Sequence, residues 1–203
     1  MRSPEEVLLE GIRAGQFGGE SKPHGDHAMG FVSFSADPGR DFRGHVVDIG
    51  SGAGLPGLIL AEAFPDTTWT LIERRSGRTE LLARAVRRLG IDDRVEILTA
   101  DVADVARSEH RGMADWVTAR SFGPPADTAE CAAGLLREGA SLLVSEPYEE
   151  DLDARWPPAG LSSVGLVRDV NWSTDAGRYS RLIRTNAEIP EIPRRGARKK
   201  LLF

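Results

Sequence analysis

His45-Val-Val-Asp-Ile-Gly-Ser-Gly-Ala-Gly-Leu-Pro-Gly-Leu-Ile-Leu-Ala-Glu-Ala-Phe64 is the stretch on which the fold turns. Its first five residues are a short apolar run ended by glycines, which predicts a buried parallel strand. Residues 55–64 predict a helix with Pro56 in its first turn, where the missing N–H has no partner to lose. Between them Gly50, Gly52 and Gly54 permit a tight turn and a close approach of a ligand to the backbone. The spacing is not the G-x-G-x-x-G of dinucleotide folds: the third glycine falls one residue early and position 55 is leucine. The Gly-Lys-Ser/Thr of a phosphate-binding loop is also absent.

Working outward, the same unit repeats. Residues 68–73 (TWTLIE) predict a second strand, and Ser76–Leu89 a helix closed by Gly90, a residue suited to the left-handed position after a helix. In that helix Leu81, Leu82, Ala85 and Leu89 recur at helical spacing, while six arginines lie between Arg74 and Arg88. Residues 94–100, 114–120 and 140–146 predict strands three to five, with a helix over 125–137. Alternating strands and helices imply a parallel sheet covered on both faces. After Pro147 the rhythm changes. Residues 163–172 and 177–185, separated by STDAG, predict an antiparallel hairpin. The expected fold is therefore α/β and Rossmann-like, the class I S-adenosylmethionine (SAM) dependent methyltransferase layout: a seven-stranded, mostly parallel sheet with a C-terminal antiparallel hairpin. Residues 1–44 read as a short N-terminal extension, helical near Pro4–Ala14 and again over 27–34 but otherwise irregular. Residues 45–187 read as the SAM-binding domain, and 188–203 as a basic tail with five cations between Arg194 and Lys200.

The ends of the first three strands carry the ligand argument. Asp48, just before the glycines, disfavours phosphate and suits the cationic methionine portion of SAM, directly or through water. Glu73 ends the second strand, where a carboxylate accepts both ribose hydroxyls; NAD enzymes do the same, so this acid points to a ribose-bearing ligand, with a solvated strand-end acid as the alternative. Asp101 ends the third strand, placed to reach the adenine amino group together with the Val102 N–H. Capping the following short helix is the competing reading of Asp101, and the two are compatible.

The bulk composition sets limits. A chain of 203 residues, 40% hydrophobic and 28% charged, fits one folded domain. No run of about 18 apolar residues is present and the first residues lack a secretory pattern, so a cytoplasmic, non-membrane protein is expected. Cys131, the single cysteine, reads as a buried packing residue in a helix. No His/Cys/Asp cluster has metal-ligand spacing, and no metal site is expected. A net charge of -5 weighs against a surface that coats nucleic acid everywhere, but leaves room for local basic patches at 74–88 and 194–200.

The run DIGSGAGLPGLILAEAFPD, with Pro56 and Gly57 following the glycines, resembles the bacterial GidB/RsmG family, in the manner of its actinobacterial branch. ARSFGPPADTAECAAGLL resembles that family's S-R-A-F block, and RYSRLIRT with PRRGARKKLLF its end. The resemblance covers roughly residues 45–203. It implies methylation of 16S ribosomal RNA at guanine N7, with SAM held by Gly50, Ser51, Gly52, Gly54 and Leu55 of the loop, by Glu73, and by the Asp101–Val102 region. Three features depart from the family pattern. A family lysine aligns with Gly77, the fifth strand ends in Ser145-Glu146-Pro147 where Leu-Lys-Gly is usual, and only His27 matches the family's N-terminal histidine segment.

On the acceptor side the resemblance assigns chemistry that needs no base. Guanine N7 already carries a lone pair, so catalysis rests on positioning. Arg120, ending the fourth strand, is the expected substrate-positioning residue, donating to guanine O6 or a phosphate. His27 is the second candidate on the acceptor side. Phe122 reads either as a base-stacking ring or as an anchor for the FGPP turn. The expected partner is 16S rRNA or the small ribosomal subunit. Two other functions stay open on the sequence: a small-molecule methyltransferase, favoured by the acidic chain, Glu146 and the reduced N-terminus, and a non-catalytic SAM-binding accessory protein of the ribosome.

Overall fold

A computed structural model of the chain describes residues 21–188 and 192–193. The helix expected near Pro4–Ala14 and the basic residues at 194–200 lie outside the described residues. Seven strands form one sheet: β1 (Gly44–Ile49), β2 (Thr67–Glu73), β3 (Val95–Thr99), β4 (Ala114–Ala119), β5 (Leu136–Glu146), β6 (Leu166–Thr174) and β7 (Gly177–Arg184), in the order β3-β2-β1-β4-β5-β7-β6. β1 to β5 run parallel, and β7 pairs antiparallel with both β5 and β6. The order reverses between β1 and β4. Helices leaving those two strands turn to opposite sides, which opens a crevice at the C-terminal ends of the strands.

The helices are α1 (Ser21–Gly30), α2 (Pro38–Asp41), α3 (Gly57–Ala63), α4 (Ser76–Leu89), α5 (Val102–Val105), α6 (Pro125–Leu135), α7 (Leu152–Arg155) and α8 (Pro158–Ser163). α4 matches its expected limits, and Gly90 closes it at φ 69°. Its buried face is Thr79, Leu82, Val86 and Leu89, so Val86 takes the inward place expected of Ala85. α3 starts at Gly57, with Pro56 just outside the helix after a cis Leu55–Pro56 bond, rather than in its first turn.

Two apolar clusters cover the sheet. One joins Val47, Val117, Leu142 and Leu182 to α6, Trp156 and Ile192. On the other face Val46, Leu71, Leu143 and Tyr179 meet α4 and the N-terminal residues Phe31, Val32 and Phe42. Alternate residues of β1 thus serve opposite faces, as the period of a strand requires.

The helix expected over 27–34 is displaced: α1 ends at Gly30, and residues 31–35 continue in tighter turns, with Phe31 N–H bonded to Ala28 O and Val32 N–H to Met29 O. The reason is tertiary. The Tyr179 hydroxyl donates to His27 O (2.8 Å) and Trp172 Nε1 to Gly30 O (2.7 Å), taking carbonyls that a continuing helix would use. Two aromatic residues of the β6–β7 hairpin therefore fasten α1 over the sheet. A methyl group at Gly30 would overlap the Tyr179 hydroxyl. Gly30→Ala should destabilise the protein by about 1–3 kcal/mol, the usual range for overpacking, measured by urea unfolding. An unchanged midpoint would mean that Tyr179 swings aside freely.

Candidate functional site

The turn after β1 is built around a buried acid. Asp48 is 1% exposed. Its Oδ1 accepts from Thr118 Oγ1 at 2.7 Å, and these two residues are register partners across β1 and β4. Its Oδ2 has no hydrogen bond within normal geometry. Burial raises the Asp48 pKa to about 6, against the opposing pull of the Thr118 and Ser51 side chains, the Gly57 amide and the Arg120 charge. Gly57 leaves room for this carboxylate: a Cβ there would stand 2.7 Å from Oδ2. The loop is then tied to β2 by Ser51 N–H to Ile72 O (2.9 Å) and to β1 by Ser51 Oγ to Asp48 O (2.9 Å). Gly50 and Gly52 turn the chain at φ 68° and 56°.

Two cavities open where the strands end. The first, about 730 Å³, is lined by Gly50, Glu73, Asp101 and Val102 among others. Glu73 is 5% exposed; its Oε1 accepts from the Arg75 N–H (2.9 Å), and Arg78 Nη1 lies 3.5 Å from Oε2. Asp101 caps α5 by accepting from Ala103 N–H at 2.8 Å, and it lines the cavity as well. The wall also carries Arg74, Arg75, Arg78 and Arg107 against Asp104 and Asp127. A surface so mixed in sign suits a ligand bearing both charges. A Cβ at Gly52 would come 3.8 Å from Nη1 of Arg78, a residue of that wall.

The remaining loop positions do not face the cavity. Asp48 and Ser51 lie beneath it, Gly54 packs on Leu58, and Leu55 joins a small cluster with Ala28 and Ile59. Cys131, 4% exposed, is a packing residue as expected, and one side of it reaches the cavity wall.

The second cavity, about 290 Å³, holds both acceptor-side candidates, Arg120 and His27, with Glu146 and Arg155. Its wall shares Ser121, Phe122 and Gly123 with the first. Arg120 Nη2 lies 3.5 Å from His24 Nδ1, and burial lowers the Arg120 pKa from its ordinary value. Burial, followed by the charges of Arg120 and His24, lowers the His27 pKa to about 4, so its ring is neutral at physiological pH. His27 Nδ1 is buried with no hydrogen-bond partner. Phe122 packs against the core and over Gly50, where a Cβ would meet its ring at 2.8 Å, which favours the anchor reading of this residue.

Sequence reasoning missed Ser121, which holds φ 51° between the two cavities and is the one non-glycine residue at positive φ among the described residues. Backbone held in that region marks ligand-binding turns. It missed Arg155 as well, since a cation on a one-turn helix carries no local signal. Among the described residues no helix is long and apolar enough to cross a membrane, and no group of three His, Cys, Asp or Glu side chains could hold a metal ion.

The sequence profile of GidB, rRNA small subunit methyltransferase G, matches residues 32–153. The ribosomal RNA small subunit methyltransferase G of Thermotoga neapolitana is 31% identical over 160 residues, 76% of this chain and 69% of that protein. Its namesake from Mycobacterium sp. (strain KMS) is 41% identical over 122 residues, 60% of this chain and 53% of that protein. The match spans about half to two thirds of the length of the curated relatives. Among solved structures, an RNA methyltransferase from Salinibacter ruber in complex with S-adenosyl-L-homocysteine superposes with a TM-score of 0.54 at 17% identity, covering 94% of this chain and 97% of that one. At that identity the likeness shows the fold, the class I methyltransferase arrangement expected from the sequence.

The raised Asp48 pKa has a measurable consequence. Between 3.8 and about 6 the folded protein binds more protons than the unfolded chain. Stability from this group is therefore fully present below the lower value, falls as pH rises through the window, and is flat above it. The fall is on the order of 2–3 kcal/mol. Asp48→Asn preserves an acceptor for Thr118 and removes the charge, so urea unfolding across pH 4 to 7 should lose this slope; a retained slope would assign it to another group.

Proposed function

The chain belongs to the GidB family, rRNA small subunit methyltransferase G, and on that premise we propose that it is a cytoplasmic enzyme transferring the methyl group of SAM to N7 of a guanine in 16S rRNA. The observation that carries this reading is the pair of cavities meeting at Ser121–Phe122–Gly123, one with a ribose-type acid and mixed charge, the other with a half-buried arginine and a neutral histidine. The residues of the first fit SAM. Glu73 offers two carboxylate oxygens for the ribose hydroxyls, Asp101 and the Val102 N–H serve the adenine, and Gly50 of the loop shapes the methionine side. Asp48, with an unpaired oxygen beneath the loop, supplies negative potential toward a cationic ligand.

SAM supplies an electrophilic methyl group on a sulfonium. Everything else asked of the protein is positioning, because guanine N7 attacks with a lone pair it already has and no proton must leave. Arg120 donates to O6 or to a phosphate and leaves N7 free. The methylated base is a cation. A neutral His27 does not oppose that charge, whereas an imidazolium in the same place would. Arg74 and Arg75, just before α4, and Arg78 in its first turn line one rim, where RNA phosphates pass.

Transfer of labelled methyl from SAM to small-subunit particles, purified from cells without this protein, tests the reading, with mapping of the modified base. Methylation of a single guanine at N7 is expected. Transfer to a small metabolite and to neither particles nor rRNA would replace it with the small-molecule alternative. Separately, Glu73→Ala should weaken SAM binding by about 1–3 kcal/mol in calorimetry, the effect of losing a charged hydrogen-bond partner. Unchanged affinity in the folded variant would remove the ribose assignment.

A further inference from the structure

The second cavity contains a buried ion pair to which the reading above gives no task. Glu146 ends β5 with its side chain wholly out of solvent, at 0% exposure. Oε1 accepts from Trp156 Nε1 at 2.6 Å, and Oε2 lies 2.7 Å from Arg155 Nε. That N–H is not aligned on Oε2, so the two groups meet as an ion contact without a formed hydrogen bond. A carboxylate removed from water requires a partner charge, and Arg155, at the end of α7, provides it. Glu150 accepts a further bond from Arg155 Nη1. Among the described residues no hydrogen bond engages Arg155 Nη2. The Arg155 side chain is 16% exposed and lines the cavity beside Arg120.

Two carboxylates thus offset one guanidinium without using all of its N–H groups. Such a group is a weak electrostatic anchor for a phosphate and a well-fixed directional donor for a neutral carbonyl oxygen. The major-groove edge of guanine presents a carbonyl oxygen, O6, where adenine presents an amino group that would oppose an N–H donor. We propose that Arg155 is a specificity-determining residue that donates to O6 of the target guanine, with Glu146 and Trp156 as its positioning residues. This inference rests on the assignment of the second cavity to the acceptor base.

Removing Arg155 alone would strand the Glu146 charge, so the test uses the neutral pair Glu146→Gln/Arg155→Met, with thermal melting to confirm folding. S-adenosylhomocysteine affinity should stay within about twofold of wild type, while kcat/KM on small-subunit particles falls about tenfold or more. Particle binding should keep its salt dependence, because no phosphate contact is lost. A second variant, Glu146→Lys/Arg155→Met, returns a cationic donor to the same spot, since the two side chains are 2.7 Å apart, and should recover much of the lost kcat/KM. Particles carrying adenine at the mapped position should discriminate less between wild type and the neutral variant than guanine particles do. A neutral variant within about twofold of wild-type kcat/KM would overturn the inference. So would a log–log salt slope lowered by about one unit, which would make Arg155 a phosphate contact. Wild-type protein inactive on particles would sink the acceptor assignment itself, and an active wild type with an unaffected variant would sink this inference alone.

Discussion

The Asp48–Thr118 hydrogen bond is the constraint from which the site follows. A carboxylate at 1% exposure is unfavourable unless satisfied, and here one oxygen is bonded across β1 and β4 while the other is left open beneath the loop. These are the two strands between which the sheet order reverses. The bond fixes their relative height at the place where they part, and so fixes where the loop departs. Ser51 then reaches the Ile72 carbonyl of β2, which sets Glu73, the next residue, beside Gly50. The open oxygen leaves a negative potential under the loop that a bound cation would relieve. The same carboxylate therefore organises the turn.

The two cavities treat charge differently, and the difference follows from burial. Around the first, exposed Arg74 and Arg75 share the wall with exposed Asp101 and Asp104, so that part of it stays polar and adjustable. Around the second, Glu146 is offset by Arg155 and His27 is neutral by loss of its proton. Arg120 keeps the least-compensated charge in that space, with a histidine ring as its hydrogen-bond partner. A cavity arranged in this way selects by hydrogen-bond direction more than by net charge, as reading a base requires.

Much of the fold was legible because it is local. The run from His45 to Phe64 contains a strand, a turn and a helix in one reading frame, and α4 carries its own stop at Gly90. Strand-end acids were legible for the same reason: Glu73 and Asp101 are the last polar residues before a change of element. What escaped has long-range causes. α1 is amphipathic in neither direction; it buries small residues such as Ala28 and is held by Tyr179 and Trp172 from the far end of the chain. α7 and α8 are each about one turn and draw their stability from Trp156 and Leu161 in the core, so no periodicity could reveal them. Glu146 read alone as a departure from the family's Leu-Lys-Gly that favoured a small-molecule acceptor; its compensation by Arg155 depends on the turn of α7. Ser121 gives no sign in the sequence of its positive φ.

These causes divide the site into halves of different origin. The wall of the first cavity is assembled mostly from residues 50–107, which follow closely on the ends of β1, β2 and β3. The wall of the second gathers His27 from α1, Arg120 from just after β4, Glu146 from β5 and Arg155 from α7. Its roof is latched by the hairpin, through bonds spanning 142 and 152 residues of sequence. A change in the first half acts on one ligand contact at a time. In the second half a change at Tyr179 or Trp172 removes a hydrogen bond that holds α1, the helix carrying His27. The antiparallel hairpin is thus more than the closing edge of the sheet: through two aromatic hydrogen bonds to the carbonyls of His27 and Gly30 it holds α1, and with it His27, at the second cavity.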